Sequence, residues 1–182
     1  ACSAASGAKA LMVSCGLDQI DPITIEVVDV ALHPSFGACM AVYDQRTGCL
    51  QVTDIDRLPT LLPASDARAA LPPEVLFSAS IAHELAHALL QQTTRETQIA
   101  GTEQEFVANV FEMQSLAPEW RDLLLNADPV KPPGSLSLVH LSIYALDPRA
   151  FANNAWLLFN QDVMGCSLIQ KISEGKFRFP RR

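Results

Sequence analysis

The sequence predicts an α+β domain. Three segments rich in β-branched residues come first, five segments with helical spacing follow, and no repeat or long Gly/Ser linker divides them. At 182 residues the chain is about the size of one ordinary domain and long enough to bury a core. We therefore expect a single domain over residues 1–182, with residues 1–20 as a flexible N-terminal segment.

The first strand is read over residues 23–30, Ile-Thr-Ile-Glu-Val-Val-Asp-Val, where β-branched residues partly alternate. Two more strands are expected near residues 38–43 and 49–54, paired antiparallel around the turn-forming run Asp44-Gln45-Arg46-Thr47-Gly48. A connection broken by prolines spans residues 58–73. From Pro73, apolar residues recur at helical spacing (Val75, Leu76, Ala79, Ala82, Leu85, Ala86, Leu89, Leu90) and predict one long helix to about Gln92. Pro73 suits its first turn, because the missing N–H would have no partner there anyway. A second helix should run from Thr102 to about Leu116, stopped before Pro118. Shorter helices are expected over residues 118–125, 147–160 (Asp147 as cap) and 166–173.

Composition removes several function classes. Nearly half the residues are hydrophobic and only 18% are charged, which argues for a folded chain rather than disorder. No apolar run approaches the eighteen or so residues of a transmembrane helix. The net charge is −7, and the basic residues that cluster are those of the tail, Lys176, Arg178, Arg181 and Arg182, so nucleic acid is not an expected partner. Five cysteines (Cys2, Cys15, Cys39, Cys49, Cys166) contain no C-x-x-C pair. Their scatter suits disulfides made in an oxidising compartment. With the small-residue stretch at Ala1–Ala8, this predicts an exported protein, periplasmic or secreted. The expected pairs are Cys39–Cys49, which flank one turn, and Cys15–Cys166 by elimination, leaving Cys2 free.

The chemistry is carried by His83-Glu84-Leu85-Ala86-His87, in the middle of the long predicted helix. Residues four apart stack on one helix face, so both imidazoles can reach one metal ion. Glu84 lies about 100° round from His83, beside that face but badly placed to be a ligand, which is where a general base belongs. With four His and nine Glu in the chain, chance placement of the pattern is expected roughly 0.004 times.

A third protein ligand would leave one position open for water. The continuation Gly-x-x-His is excluded, since position 90 is Leu and position 93 is Thr. A glutamate from the next helix is the alternative, and Glu105 follows His87 by eighteen residues. A second reading stays open, because Thr102-Glu103-Gln104-Glu105 also fits a capping box with Glu105 reaching back to Thr102 N–H. In that case Glu103 is the substitute ligand.

His83-Glu84-x-x-His87 followed by Glu105-Phe106-x-Ala108-Asn109 resembles the gluzincin branch of the zincin metallopeptidases, the thermolysin-like group. The resemblance covers roughly residues 81–110, with a strand-rich region ahead, and implies a zincin-like fold. It also implies Zn²⁺ held by His83, His87 and Glu105, and a residue at Asn109 that steadies a ligand histidine. Asn109 replaces the acidic residue usual there; its amide can still accept from an imidazole N–H, without the charge that raises ligand basicity.

Such enzymes also use a residue that stabilises the developing oxyanion. The candidates are His33, His140, Tyr43, Tyr144 and Arg149, of which His140 and Tyr144, four apart and downstream of both zinc helices, are favoured. The expected function is zinc-dependent hydrolysis of a peptide or protein substrate, with Glu84 as general base. The strand near residues 50–55 is the expected edge for an extended peptide. A non-catalytic protein of binding or assembly that keeps the scaffold is the competing class, and hydrolysis of another amide or an ester is a third option.

Overall fold

A computed structural model of the protein describes residues 1–94, 98–161 and 164–180. Its architecture is α+β: a small strand region precedes a set of helices, most of which share its core, while the helix at Pro118–Ala127 packs on a second cluster. The strands are β1 (Thr24–Val28), β2 (Ala31–His33), β3 (Gly37–Cys39), β4 (Ala41–Asp44) and β5 (Cys49–Thr53). After them come α2 (Pro73–Thr93), α3 (Gly101–Ser115), α4 (Pro118–Ala127), α5 (Leu141–Leu146), α6 (Pro148–Phe159) and α7 (Gly165–Ser173), while α1 (Cys2–Ser14) precedes them all.

The expectation of a flexible first segment is corrected by α1. Met12 and Cys15 are fully buried, and Cys15 is disulfide-bonded to Cys166 at the start of α7. Ala4, Ala5, Ala8, Leu11 and Met12 recur at helical spacing and pack into the core; the helix lies against α2 and α3 and is held by this tie. The three strands were expected to be antiparallel, but the sheet is mixed. In the order β1-β5-β4, β1 runs parallel to β5 and β4 antiparallel to it, while β2 and β3 form a separate two-stranded ribbon. One expected strand over residues 38–43 is therefore two, divided at Met40, whose carbonyl accepts Thr53 N–H at 2.8 Å.

Cys39 and Cys49 are free thiols rather than a disulfide, and the register of β4 on β5 explains it. Across the turn, Cys49 faces Asp44, and Cys39 lies at the other end of β5, where its carbonyl accepts the Thr53 hydroxyl at 2.7 Å. Four residue steps along a strand are about 13 Å, well beyond the reach of a disulfide. Strand β5 is also the central strand, so it offers no free edge; β1 and β4 are the edges of the sheet.

Helix α2 is the central element, packed on α1, α3, β4 and β5. Ile81, Ala82, Leu85, Ala86, Ala88 and Leu89 are buried around almost its whole circumference. Phe106 and Phe111 of α3 and Phe151 of α6 complete the core and are fully buried. Each such side chain contributes about 1.5–3 kcal/mol by leaving water. A largely buried stripe of α2 bearing His83, Glu84 and His87 lines a cleft of about 1590 Å³. No helix among the described residues is long and apolar enough to cross a membrane. Of the basic tail, Arg181 and Arg182 lie outside the described residues, and Arg178 donates to the Gln98 carbonyl at 2.7 Å.

Candidate metal centre

His83 and His87, one turn apart on α2, face Glu105 near the start of α3. His83 Nε2 lies 3.6 Å from Glu105 Oε2, and His87 Nε2 lies 3.6 Å from Glu105 Oε1. These separations are too long for hydrogen bonds. They are close to the spacing of two donors on one tetrahedral ion, about 3.3 Å for bonds of about 2.0–2.1 Å. Glu105 Oε2 is buried and has no hydrogen-bond partner, which is costly for a carboxylate unless a cation meets it. The three residues are the His/Cys/Asp/Glu group that could hold a metal ion among the described residues, with donor atoms all within 4.8 Å of one another. The residues present therefore fit such an ion.

Helix geometry decides which glutamate takes this place. Glu105 does not cap α3, which begins at Gly101 with Ala100 as its cap residue. Glu103 points the other way and is 2% exposed, accepting Phe179 N–H at 2.8 Å. It holds the C-terminal segment and is remote from the histidines in function, so the capping-box alternative and Glu103 as a ligand are both set aside.

Asn109 does not meet an imidazole. Its Nδ2 donates to the Glu105 carbonyl at 2.8 Å, one turn back on the same helix. The group that holds His83 is Glu112, whose Oε2 lies 3.0 Å from His83 Nδ1. Glu112 Oε1 is 3.5 Å from Arg149 Nη2, at the start of α6. The signal was present in the spacing: Glu112 is seven residues beyond Glu105, two turns along the same face. Arg68, paired with Asp66 at 2.6 Å, lines the same cleft.

Glu84 stands beside the three donors without joining them. Its Oε2 accepts Tyr43 N–H from β4 at 2.9 Å. Burial pushes its carboxyl up to about 7, against the opposing pull of His83 and Tyr43 N–H. For His83, burial works to lower the pKa, but the Glu105 and Glu112 carboxylates on either side raise it well above the usual histidine range. His87 is pushed down to about 4 by burial and by the charge on His83, leaving its ring neutral with a lone pair to offer. Burial would raise Glu105, yet His83 beside it holds it at about 2. In the metal-free chain the Glu105 and Glu112 carboxylates thus favour the protonated form of His83.

Of the expected oxyanion residues, His140 is corrected. It caps α5, accepting Ser142 N–H at 3.2 Å, and is not among the residues lining the cleft. Tyr144 does line the cleft, with its ring edge-on to Phe151. Burial and the Glu105 carboxylate push its phenol well above the ordinary range, so it stays a hydrogen-bond donor.

The chain matches, over residues 1–182, the family described as "Family of unknown function (DUF6639)", and it belongs to that family. No curated protein and no solved structure matches it.

Proposed function

We propose that the protein is a zinc-dependent metallohydrolase that cleaves peptide bonds. The observation that carries this reading is the pair of 3.6 Å gaps around Glu105 with Glu84 beside them, free of the donor set. Two His and one Glu are the donor set of catalytic zinc in several peptidases, and a purely structural site tends to be closed by four protein ligands. A structural site would also have no use for Glu84. The resemblance to gluzincins supports the same reading. When bound, zinc supplies Lewis-acid activation of water and of a carbonyl oxygen.

Glu84 Oε2 is held by Tyr43 N–H, which leaves Oε1 to act on water. Glu84 Oε1 takes a proton from water as the water oxygen bonds to the carbonyl carbon. It then hands that proton to the leaving nitrogen as the C–N bond breaks, giving a carboxylic acid and an amine. A carboxyl whose pKa sits near neutrality suits both halves of this exchange. Tyr144 donates from its phenol to the oxygen that gains charge.

The substrate edge moves from β5 to β4. Because Met40 O meets Thr53 N–H, the alternation of an antiparallel ladder turns the backbone groups of Ala41 and Tyr43 away from β5. Tyr43 N–H indeed goes to Glu84, so this edge runs past the base. An extended peptide adding along β4 lies over the histidines. The disulfide and the absence of a membrane-crossing helix among the described residues suit an exported protein.

The test is a broad peptide library incubated with zinc-loaded wild type and Glu84→Gln, read by mass spectrometry. We expect cleavage by the wild type and a loss of about 10²–10⁴ in rate for the variant with its zinc retained. A zinc-loaded wild type that cleaves nothing would favour the non-catalytic scaffold, in which Glu84→Gln leaves partner binding unchanged.

A further inference from the structure

The wall of the cleft formed by α6 carries a cation that the mechanism above does not use. Arg149 is the second residue of α6, fixed there by the Asp147 cap, whose side chain accepts Ala150 N–H, and by Pro148. Its side chain is 14% exposed and lines the cleft. A guanidinium has five N–H donors in a rigid fork. Here Nη1 meets Met113 Sδ at 3.5 Å, a weak acceptor, and Nη2 lies 3.5 Å from Glu112 Oε1. The other Glu112 oxygen is already engaged with His83 at 3.0 Å.

Arg149 therefore shares part of one carboxylate, although a largely buried charge needs close and well-directed partners to offset its lost hydration. Arg68, on the same cleft wall, is the contrast: Nη2 and Nε reach both oxygens of Asp66 at 2.6 and 3.0 Å. With Asp66 taken by Arg68 and Glu112 by His83, the positive charge of Arg149 is the one left under-compensated. Burial lowers the Arg149 pKa most and the nearby Arg68 adds to it, while Glu112 pulls it back up, so the positive potential of the guanidinium is only partly offset. Glu112 bridges Arg149 to His83, so this potential sits one side chain away from the proposed metal ligands.

We propose that Arg149, backed by Arg68, is the subsite for a substrate carboxylate, so that preferred peptides carry a free carboxylate close to the scissile bond. A planar fork with open donors suits bidentate pairing with that group. The inference rests on the peptidase reading. The carboxylate can be the C-terminal α-carboxylate or an Asp or Glu side chain, two sources that share one chemistry.

The experiment uses zinc-loaded Glu84→Gln, which binds without turnover, and calorimetric titration with three N-acetylated peptides. One is tetra-alanine with a free C-terminus, one its C-terminal amide, and one the amide with Glu as the last residue. At least one carboxylate peptide should bind 10-fold or more tighter than the plain amide, and which one does identifies the source. Adding Arg149→Lys, which keeps the charge but not the fork, should cut that preference below 3-fold. Arg149→Ala should remove it, and circular dichroism checks that both variants fold. Equal binding of acid and amide overturns the subsite and leaves the peptidase reading standing. A preference that survives in both Arg149 variants also overturns it. A zinc-loaded protein that binds none of the three overturns the subsite and the peptidase reading together.

Discussion

Replacing Glu112 is the most informative single perturbation, because this carboxylate serves two buried partners at once. Its Oε2 faces His83 Nδ1 at 3.0 Å and its Oε1 faces Arg149 at 3.5 Å, with the Glu112 side chain only 7% exposed. Glu112→Gln keeps an acceptor for the imidazole but removes the charge that orients it and makes it more basic. Partners of this kind are worth about 10–100-fold in metal affinity, or about 1.4–2.7 kcal/mol. Glu112→Ala goes further and strips Arg149 of its acidic partner. Breaking a buried pair from one side costs about 3–5 kcal/mol, and the residual exposure of Arg149 argues for the lower end. Competition against a chromophoric chelator measures the zinc affinity, and thermal unfolding of the metal-free chain measures the stability. Asn109→Ala is the control, since that amide bonds its own helix backbone and should leave zinc affinity within about 2-fold. If Glu112→Gln bound zinc like the wild type while Asn109→Ala lost 10-fold, the assignment of the supporting residue would be wrong.

Two other outcomes follow from the same geometry. Glu105→Ala should weaken zinc binding by at least 100-fold, whereas Glu103→Ala should leave it unchanged and lower the melting temperature by freeing Phe179 N–H from its buried partner; equal, small effects on zinc would contradict the ligand assignment. Thiol titration of denatured, unreduced protein should find three free thiols, Cys2, Cys39 and Cys49, and reduction of Cys15–Cys166, which spans 151 residues, should cost up to about 5 kcal/mol of stability; finding one free thiol would reinstate the Cys39–Cys49 bridge.

Local signals carried much of this into the sequence. The long helix was legible because Pro73 opens it and its apolar residues recur without a break, and α2 runs from Pro73 to Thr93. The histidine pair was legible because a four-residue spacing on a helix fixes both side chains on one face whatever the rest of the chain does. What was missed depends on tertiary contact. The small residues at the start of α1 give too weak a signal to show that Met12 is buried, whereas the Cys15–Cys166 pair was expected, by elimination. The register that sets Asp44 opposite Cys49 and Met40 opposite Thr53 keeps Cys39 away from Cys49, and the sheet order leaves β4 at an edge. The motif points to position 109, one turn from Glu105, although position 112 lies on the same face one turn further on. Arg149 was visible as a residue, but its meaning lies in how little of Glu112 it receives.

The central claim is that His83, His87 and Glu105 bind one zinc ion, and X-ray absorption at the zinc edge on a metal-titrated sample tests it most directly. The account predicts about one zinc per chain, with two imidazole nitrogens and one or two oxygens at about 2.0–2.1 Å and no sulfur. That signal should be lost in His87→Ala. A chain that takes up no zinc, or one whose zinc shows sulfur ligands from Cys39 or Cys49, would contradict it.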